Sequence, residues 1–177
     1  MNRLRIFALA ALVVVSLTCV ALRADTESAE EWNNKGVALG ELGRYEEELK
    51  CYDRALEINA RYAMAWSNKG VALGNLGRYE EELKCCDRAL EINPRYAEAW
   101  SNKGGALTNL GRYEEALKCC DRALEMNPRY AAAWYNKGAA LYNLNRYAEA
   151  RQALERAVEL GNAEARQALE ALRQEGH

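Results

Sequence analysis

The chain has 177 residues, a length that suits one domain, and its 50% hydrophobic and 28% charged residues exclude a disordered chain and a polytopic membrane protein. Its 24 basic and 26 acidic residues leave a net charge of -2, so no basic field is present to hold nucleic acid. The single histidine is the last residue, His177, a poor place for a general base, and no Gly-rich phosphate loop or nucleophile elbow occurs, so the chain is not expected to be an enzyme.

In chain order, the first element is a targeting segment. Arg3 and Arg5 precede a run from Ile6 to Leu22 broken only by Ser16, Thr18 and Cys19, and acidic residues follow from Asp25 onward. A basic start followed by an apolar run marks residues 1–24 as a signal peptide or an N-terminal membrane anchor, and either one implies an exported or membrane-anchored protein. Residues 25–28 form a short linker.

From there the chain repeats. Trp32, Trp66, Trp100 and Trp134 stand 34 residues apart, and Gly36, Gly70, Gly104 and Gly138 keep the same period. So do Leu39, Leu73, Leu107 and Leu141, then Tyr45, Tyr79, Tyr113 and Tyr147, then Ala55, Ala89, Ala123 and Ala157. A fixed period of this length signals a solenoid with units at 29–62, 63–96, 97–130 and 131–164. The second and third units differ at five places: Met64/Glu98, Val71/Gly105, Gly74/Thr108, Glu82/Ala116 and Ile92/Met126.

Each unit reads as two helices. In the third, Trp100, Gly104, Leu107 and Leu110 recur at helical spacing, which predicts a helix from about Ala97 to Leu110. Gly111 marks the turn. A second helix begins near Glu114, sends Leu117, Cys120, Ala123 and Leu124 inward and stops at Pro128. Glu114 and Lys118 are spaced for an i,i+4 ion pair. In the last unit Asn145 replaces the turn glycine and Gly161-Asn162 ends the second helix. One more amphipathic helix follows over 163–175, so that 165–177 are a capping helix and tail.

The Trp, Gly, Leu, Tyr and Ala positions at this period resemble the tetratricopeptide repeat family, over most of the chain. The resemblance implies an all-α fold, a right-handed helical solenoid of four tandem helix–turn–helix repeats closed by the C-terminal helix. It departs from the family at Lys35, Lys69, Lys103 and Lys137, where Leu is frequent, and at Glu48 and Glu82, where a small residue is usual. A buried charge is costly, so these two carboxylates are expected to reach outward or to splay the helix pair.

In this family the first helices line a concave groove that receives partner segments. The resemblance places Asn34, Asn68, Asn102 and Asn136 on that groove, with Asn75, Asn109 and Asn143 beside them. An amide offers both donor and acceptor and suits an extended peptide backbone, although Asn is frequent here with or without a ligand. Tyr135 and Tyr142 fall on the same face and suit an apolar side chain, or else pack on the final helix. The implied function is a protein-interaction scaffold that binds a peptide or protein segment; self-association of the repeats is the alternative. A tail of a heat-shock chaperone is an unfavourable partner, because it needs basic groove residues. The matching places read Asn33, Val37, Asn68, Glu98 and Asn102 in one register, and Ser67, Val71, Asn102, Ala132 and Asn136 in the next. Membrane contact is expected only through the N-terminal segment.

Adjacent cysteines, Cys85-Cys86 and Cys119-Cys120, suggest a thiol or metal site. On a helix neighbouring side chains diverge by about 100°, and equivalent cysteines of successive units are too far apart for a disulfide. Cys51, Cys85, Cys86, Cys119 and Cys120 are therefore expected to be buried free thiols, with no metal or cofactor.

Overall fold

The computed structural model describes residues 27–174, so the signal peptide or anchor expected over 1–24 lies outside the described residues. Among the described residues there are nine helices and no strand: α1 (Ala29–Glu41), α2 (Tyr45–Ile58), α3 (Ala63–Asn75), α4 (Tyr79–Ile92), α5 (Ala97–Asn109), α6 (Tyr113–Met126), α7 (Ala131–Asn143), α8 (Tyr147–Glu159) and α9 (Ala163–Gln174). None of them is long and apolar enough to cross a membrane.

Local chemistry sets the boundaries. A capping box starts α1: the Glu31 amide donates to Ser28 Oγ at 3.1 Å while the Ser28 amide donates to Glu31 Oε2 at 2.6 Å. The turn inside the first unit needs a left-handed residue, and Gly43 supplies it with φ of 70°. The Arg44 amide then reaches Leu39 O at 3.0 Å and the Gly43 amide reaches Gly40 O at 2.9 Å, which satisfies the helix end. The fourth unit builds the same turn with Asn145 at φ of 60°. The next residue, an arginine, ties the turn to the new helix, as where Arg112 grips Glu115 with two bonds of 2.7 Å. This i,i+3 pair recurs at Arg44–Glu47, Arg78–Glu81 and Arg146–Glu149. Among the described residues no ion pair joins Glu114 to Lys118; the pair that forms in this turn is Arg112 with the neighbouring Glu115.

Between units the second helix ends at an asparagine. Asn93 Oδ1 accepts from the Arg95 amide at 3.1 Å, and Asn59 and Asn127 do the same in their units. The tryptophan of the following helix locks that turn. Trp66, Trp100 and Trp134 donate their indole N–H to the carbonyls of Ala60, Pro94 and Pro128 at 2.9–3.0 Å. The 34-residue period thus has a physical stop at each end.

Helices pair within units and then stack. At each junction two fully buried alanines meet, Ala55 with Ala65, Ala89 with Ala99, and Ala123 with Ala133, flanked by tryptophans. Trp100 does more than fill its own hairpin: it touches the clusters on both sides of its unit. α9 docks through Ala157 and Ala165 in the same manner. Neighbouring first helices also touch one another directly. α1, α3, α5 and α7 therefore line the inner face of the stack.

The recurring glycine of each first helix faces a different partner. A Cβ on Gly36 would lie 2.5 Å from the Tyr52 ring, while one on Gly70 would meet Cys85 Cβ at 3.4 Å and Cys86 Sγ at 3.5 Å, close to ordinary contact. Gly36→Ala is therefore expected to lose about 1–3 kcal/mol by overpacking. Gly70→Ala is expected to be neutral or to gain up to about 1 kcal/mol of helix propensity. Urea denaturation of the two variants checks the difference; equal effects would contradict the packing.

Candidate functional site

The inner face carries a line of carboxamides. Asn68 donates through Nδ2 to Asn33 Oδ1 at 2.9 Å. Asn102 donates to Ser67 Oγ at 3.2 Å, and Asn136 to Ser101 O at 3.0 Å and Ser101 Oγ at 3.2 Å. Each bond runs from one first helix to the one before it, so the ladder pins successive units together. Among the described residues these bonds leave the amide oxygen of each uncommitted, and that oxygen is an acceptor for an incoming donor.

Two clefts open beside the ladder and a third lies beyond it. One of about 360 Å³ involves α1, α2 and α3, and its lining includes Gly40, Glu48, Asn68 and Asn75. The next, of about 220 Å³, includes Gly74, Asn75, Glu82, Asn102, Asn109 and Asn136. A third, of about 270 Å³, lies between α7 and α9 and includes Tyr135, Tyr142, Asn143, Leu154 and Leu172. The nine residues expected to line the groove thus divide. Asn68, Asn75, Asn102, Asn109 and Asn136 come together in the first two clefts. Tyr135, Tyr142 and Asn143 belong to the third, and Asn34 is exposed on α1 outside all three. Tyr135 also packs on the cluster of Leu154, Ala165 and Leu169, while Tyr142 stands edge-on to Tyr147 at 5.6 Å. Asn143 turns back to its own helix and donates to Ala139 O at 2.9 Å.

Glu48 and Glu82 do not reach outward. They are 5% and 7% exposed and point across the hairpin to the first helix. The room comes from Gly40 and Gly74: a Cβ on Gly40 would sit 2.6 Å from Glu48 Oε1, and one on Gly74 would collide with the Glu82 carboxylate. The third unit makes the opposite choice, with Thr108 facing the small Ala116, and the fourth sets Tyr142 opposite Ala150. Two of the five differences between the second and third units are thus one packing exchange across the turn, eight residues apart. Their pairing was visible in the sequence as two changes that occur together.

The two carboxyls differ in their partners. Glu48 Oε1 accepts from the Tyr52 hydroxyl at 2.8 Å. Burial raises the Glu48 carboxyl and this bond works against the rise. The second unit has Cys86 in the place of Tyr52, and there burial alone pushes the Glu82 carboxyl up to about 7.

The lysines before each glycine form a separate line that sequence reasoning missed. Lys69, Lys103 and Lys137 reach Asp53, Asp87 and Asp121 of the preceding unit at 2.6 Å, and each lies over its own helix's tryptophan, 5.5–5.6 Å from the ring centre. The shared 34-residue period of the lysines and aspartates was the available signal. Such half-exposed pairs contribute about 1 kcal/mol or less each.

The five described cysteines are buried free thiols, as expected. Burial raises all of them, Cys85 to about 11 and Cys120 to about 12, which keeps the reactive thiolate scarce. Among the described residues no three His, Cys, Asp or Glu side chains are grouped to hold a metal ion.

Three consecutive stretches, 29–62, 63–96 and 97–130, match a family model described as tetratricopeptide repeat, and 119–152 match a second model of that description. No curated protein matches the chain. Among solved structures the chain is similar to TTC0263, a thermophilic protein of Thermus thermophilus, at 26% identity over 84% of this chain and 82% of that one, with a TM-score of 0.78. MamA from Desulfovibrio magneticus RS-1 shares the fold at 23% identity, with 84% and 85% covered and a TM-score of 0.68. The second repeat domain of human RPAP3, solved in complex with the HSP70 peptide SGPTIEEVD, aligns at 26% identity over 63% of this chain and 93% of that one, with a TM-score of 0.60.

Gly74 and Glu82 should be strongly coupled. Gly74→Thr alone is expected to destabilise by about 1–3 kcal/mol, and adding Glu82→Ala should more than recover the loss, because it restores the third unit's own pair. The native state holds the Glu82 proton more tightly than the unfolded chain, whose carboxyl has the ordinary value of 4.5. Stability from this group is therefore fully present below 4.5 and is lost as pH rises toward 7. The double variant should lack that part of the pH slope in urea titrations, and an unchanged slope would contradict the assignment.

Proposed function

The chain belongs to the tetratricopeptide repeat family, whose fold serves as a scaffold for protein–protein interaction, and from that premise we propose that this protein is a non-catalytic binding module holding an extended partner segment along its inner face. The observation that carries the reading is the carboxamide ladder with two successive clefts along it. Its uncommitted oxygens are spaced by the stacking of the units and accept backbone N–H groups irrespective of sequence. The apolar run at the N-terminus supports export, or tethering to a membrane surface, as the setting in which the module works.

The RPAP3 domain holds a peptide that carries three acidic side chains near its end. An equivalent tail suits this chain poorly. The two clefts flanking the ladder include Glu41, Glu48, Glu82 and Glu98 in their lining, with no lysine or arginine. Like charge and the desolvation of both partners oppose such a ligand.

Asn75 and Asn109 are exposed and line the clefts. Changing both to Ala should leave the melting temperature within about 2 °C, since surface substitutions of this kind stay near ±0.5 kcal/mol. Affinity capture from source extract should nevertheless lose the partner that the unaltered protein retains. Capture of the same set by both proteins would remove the inner face as the site and direct attention to self-association.

A further inference from the structure

The first two units each keep a carboxyl where it is expensive. Glu48 and Glu82 are more than nine-tenths buried, yet both line clefts on the inner face. Glu48 Oε2 has no hydrogen-bond partner, and the Glu82 carboxylate receives no hydrogen bond from the described residues. The same scaffold has an inexpensive alternative, since the third unit fills this space with Thr108 and Ala116, and Thr108 satisfies its own hydroxyl on Gly104 O at 2.9 Å. Tyr52 satisfies only Oε1 of Glu48, so each carboxyl keeps at least one unpaired oxygen under a cleft, a desolvated acceptor awaiting a donor. The remaining polar lining is carboxylate and carboxamide with the Tyr52 hydroxyl, including Glu41, Asn68 and Glu98 at the first cleft and Asn75 and Asn102 at the second, and no basic residue lines either.

We infer that the partner segment places two basic side chains into these clefts, one against Glu48 and one against Glu82. The inference rests on the inner face being the binding face. Ammonium and guanidinium groups carry three and five donors and no acceptor, which complements a lining of carboxylates and amide oxygens. The spacing follows from the stack. Neighbouring first helices touch, so their axes are about 8–10 Å apart. A left-handed extended helix of the polyproline type advances about 3.1 Å per residue with three residues per turn. Two side chains at i and i+3 then lie on one side, about 9 Å apart, and match adjacent clefts. The third and fourth units have no such carboxyl, so the basic pair sits toward the N-terminal half of the groove.

The test uses the full-length protein and a random nonapeptide display library. Selected peptides are expected to carry Lys or Arg at two positions three apart. Glu48→Gln and Glu82→Gln should each weaken a selected synthetic peptide by about tenfold, the scale of one charge-assisted contact. Gly40→Thr with Glu48→Ala, and Gly74→Thr with Glu82→Ala, copy a pair the fold already contains and should abolish the enrichment while melting cooperatively. Peptides that depend on Asn75 and Asn109 but show no basic pair, or that ignore the Gln substitutions, would overturn this inference and leave the groove intact as a site. A library from which nothing is retained would overturn both readings.

Discussion

Everything in this fold depends on how closely two helices can approach at each junction, and that distance is set by alanine. Ala55 against Ala65, Ala89 against Ala99 and Ala123 against Ala133 are all fully buried, and each pair is the joint between one unit and the next. A larger side chain at a joint would push a whole unit outward, because interiors at crystal-like density have no slack to absorb it. The tryptophans then fill the wedges on both sides, and their indole N–H groups hold the turn that delivers the next helix. The joint Ala157–Ala165 gives α9 its meaning: it is docked as the first helix of another unit whose second helix does not follow among the described residues.

On the proposed function, the amide ladder connects stability to recognition. Asn68, Asn102 and Asn136 use one N–H each to tie successive first helices together. The geometry that aligns the units is the same geometry that spaces the amide oxygens. The spacing of these acceptors is thereby inherited from the packing and needs no separate device. The lysine–aspartate–tryptophan contacts add a second tie at the three joints between units, on side chains that line neither of the clefts beside the ladder.

Much of this was legible in the sequence because it is local and periodic. The turn glycines, the substitution of Asn145 for one of them, the helix pairs and the inward alanines all follow from φ preferences and a 34-residue period. The burial of Glu48 and Glu82 was not legible by the same means. A glutamate judged alone belongs outside; only the empty space above Gly40 and Gly74, created across a turn, brings it in. The Glu114–Lys118 spacing also misled: the ion pair that forms in this turn is Arg112 with Glu115, three residues apart. Tyr135 and Tyr142 line a cleft that α9 completes, the alternative that the sequence offered as packing on the final helix, although no repeat pattern specifies where that helix sits.

Direct contact between first helices also has a mechanical meaning. In a bent stack, the line where layers touch keeps its length while the opposite side opens or closes. Here that line runs along α1, α3, α5 and α7, with hydrogen bonds stitched across it. Thermal flexing of the solenoid is thus taken up by its outer wall, and the ruler formed by the inner face stays in register with whatever lies along it.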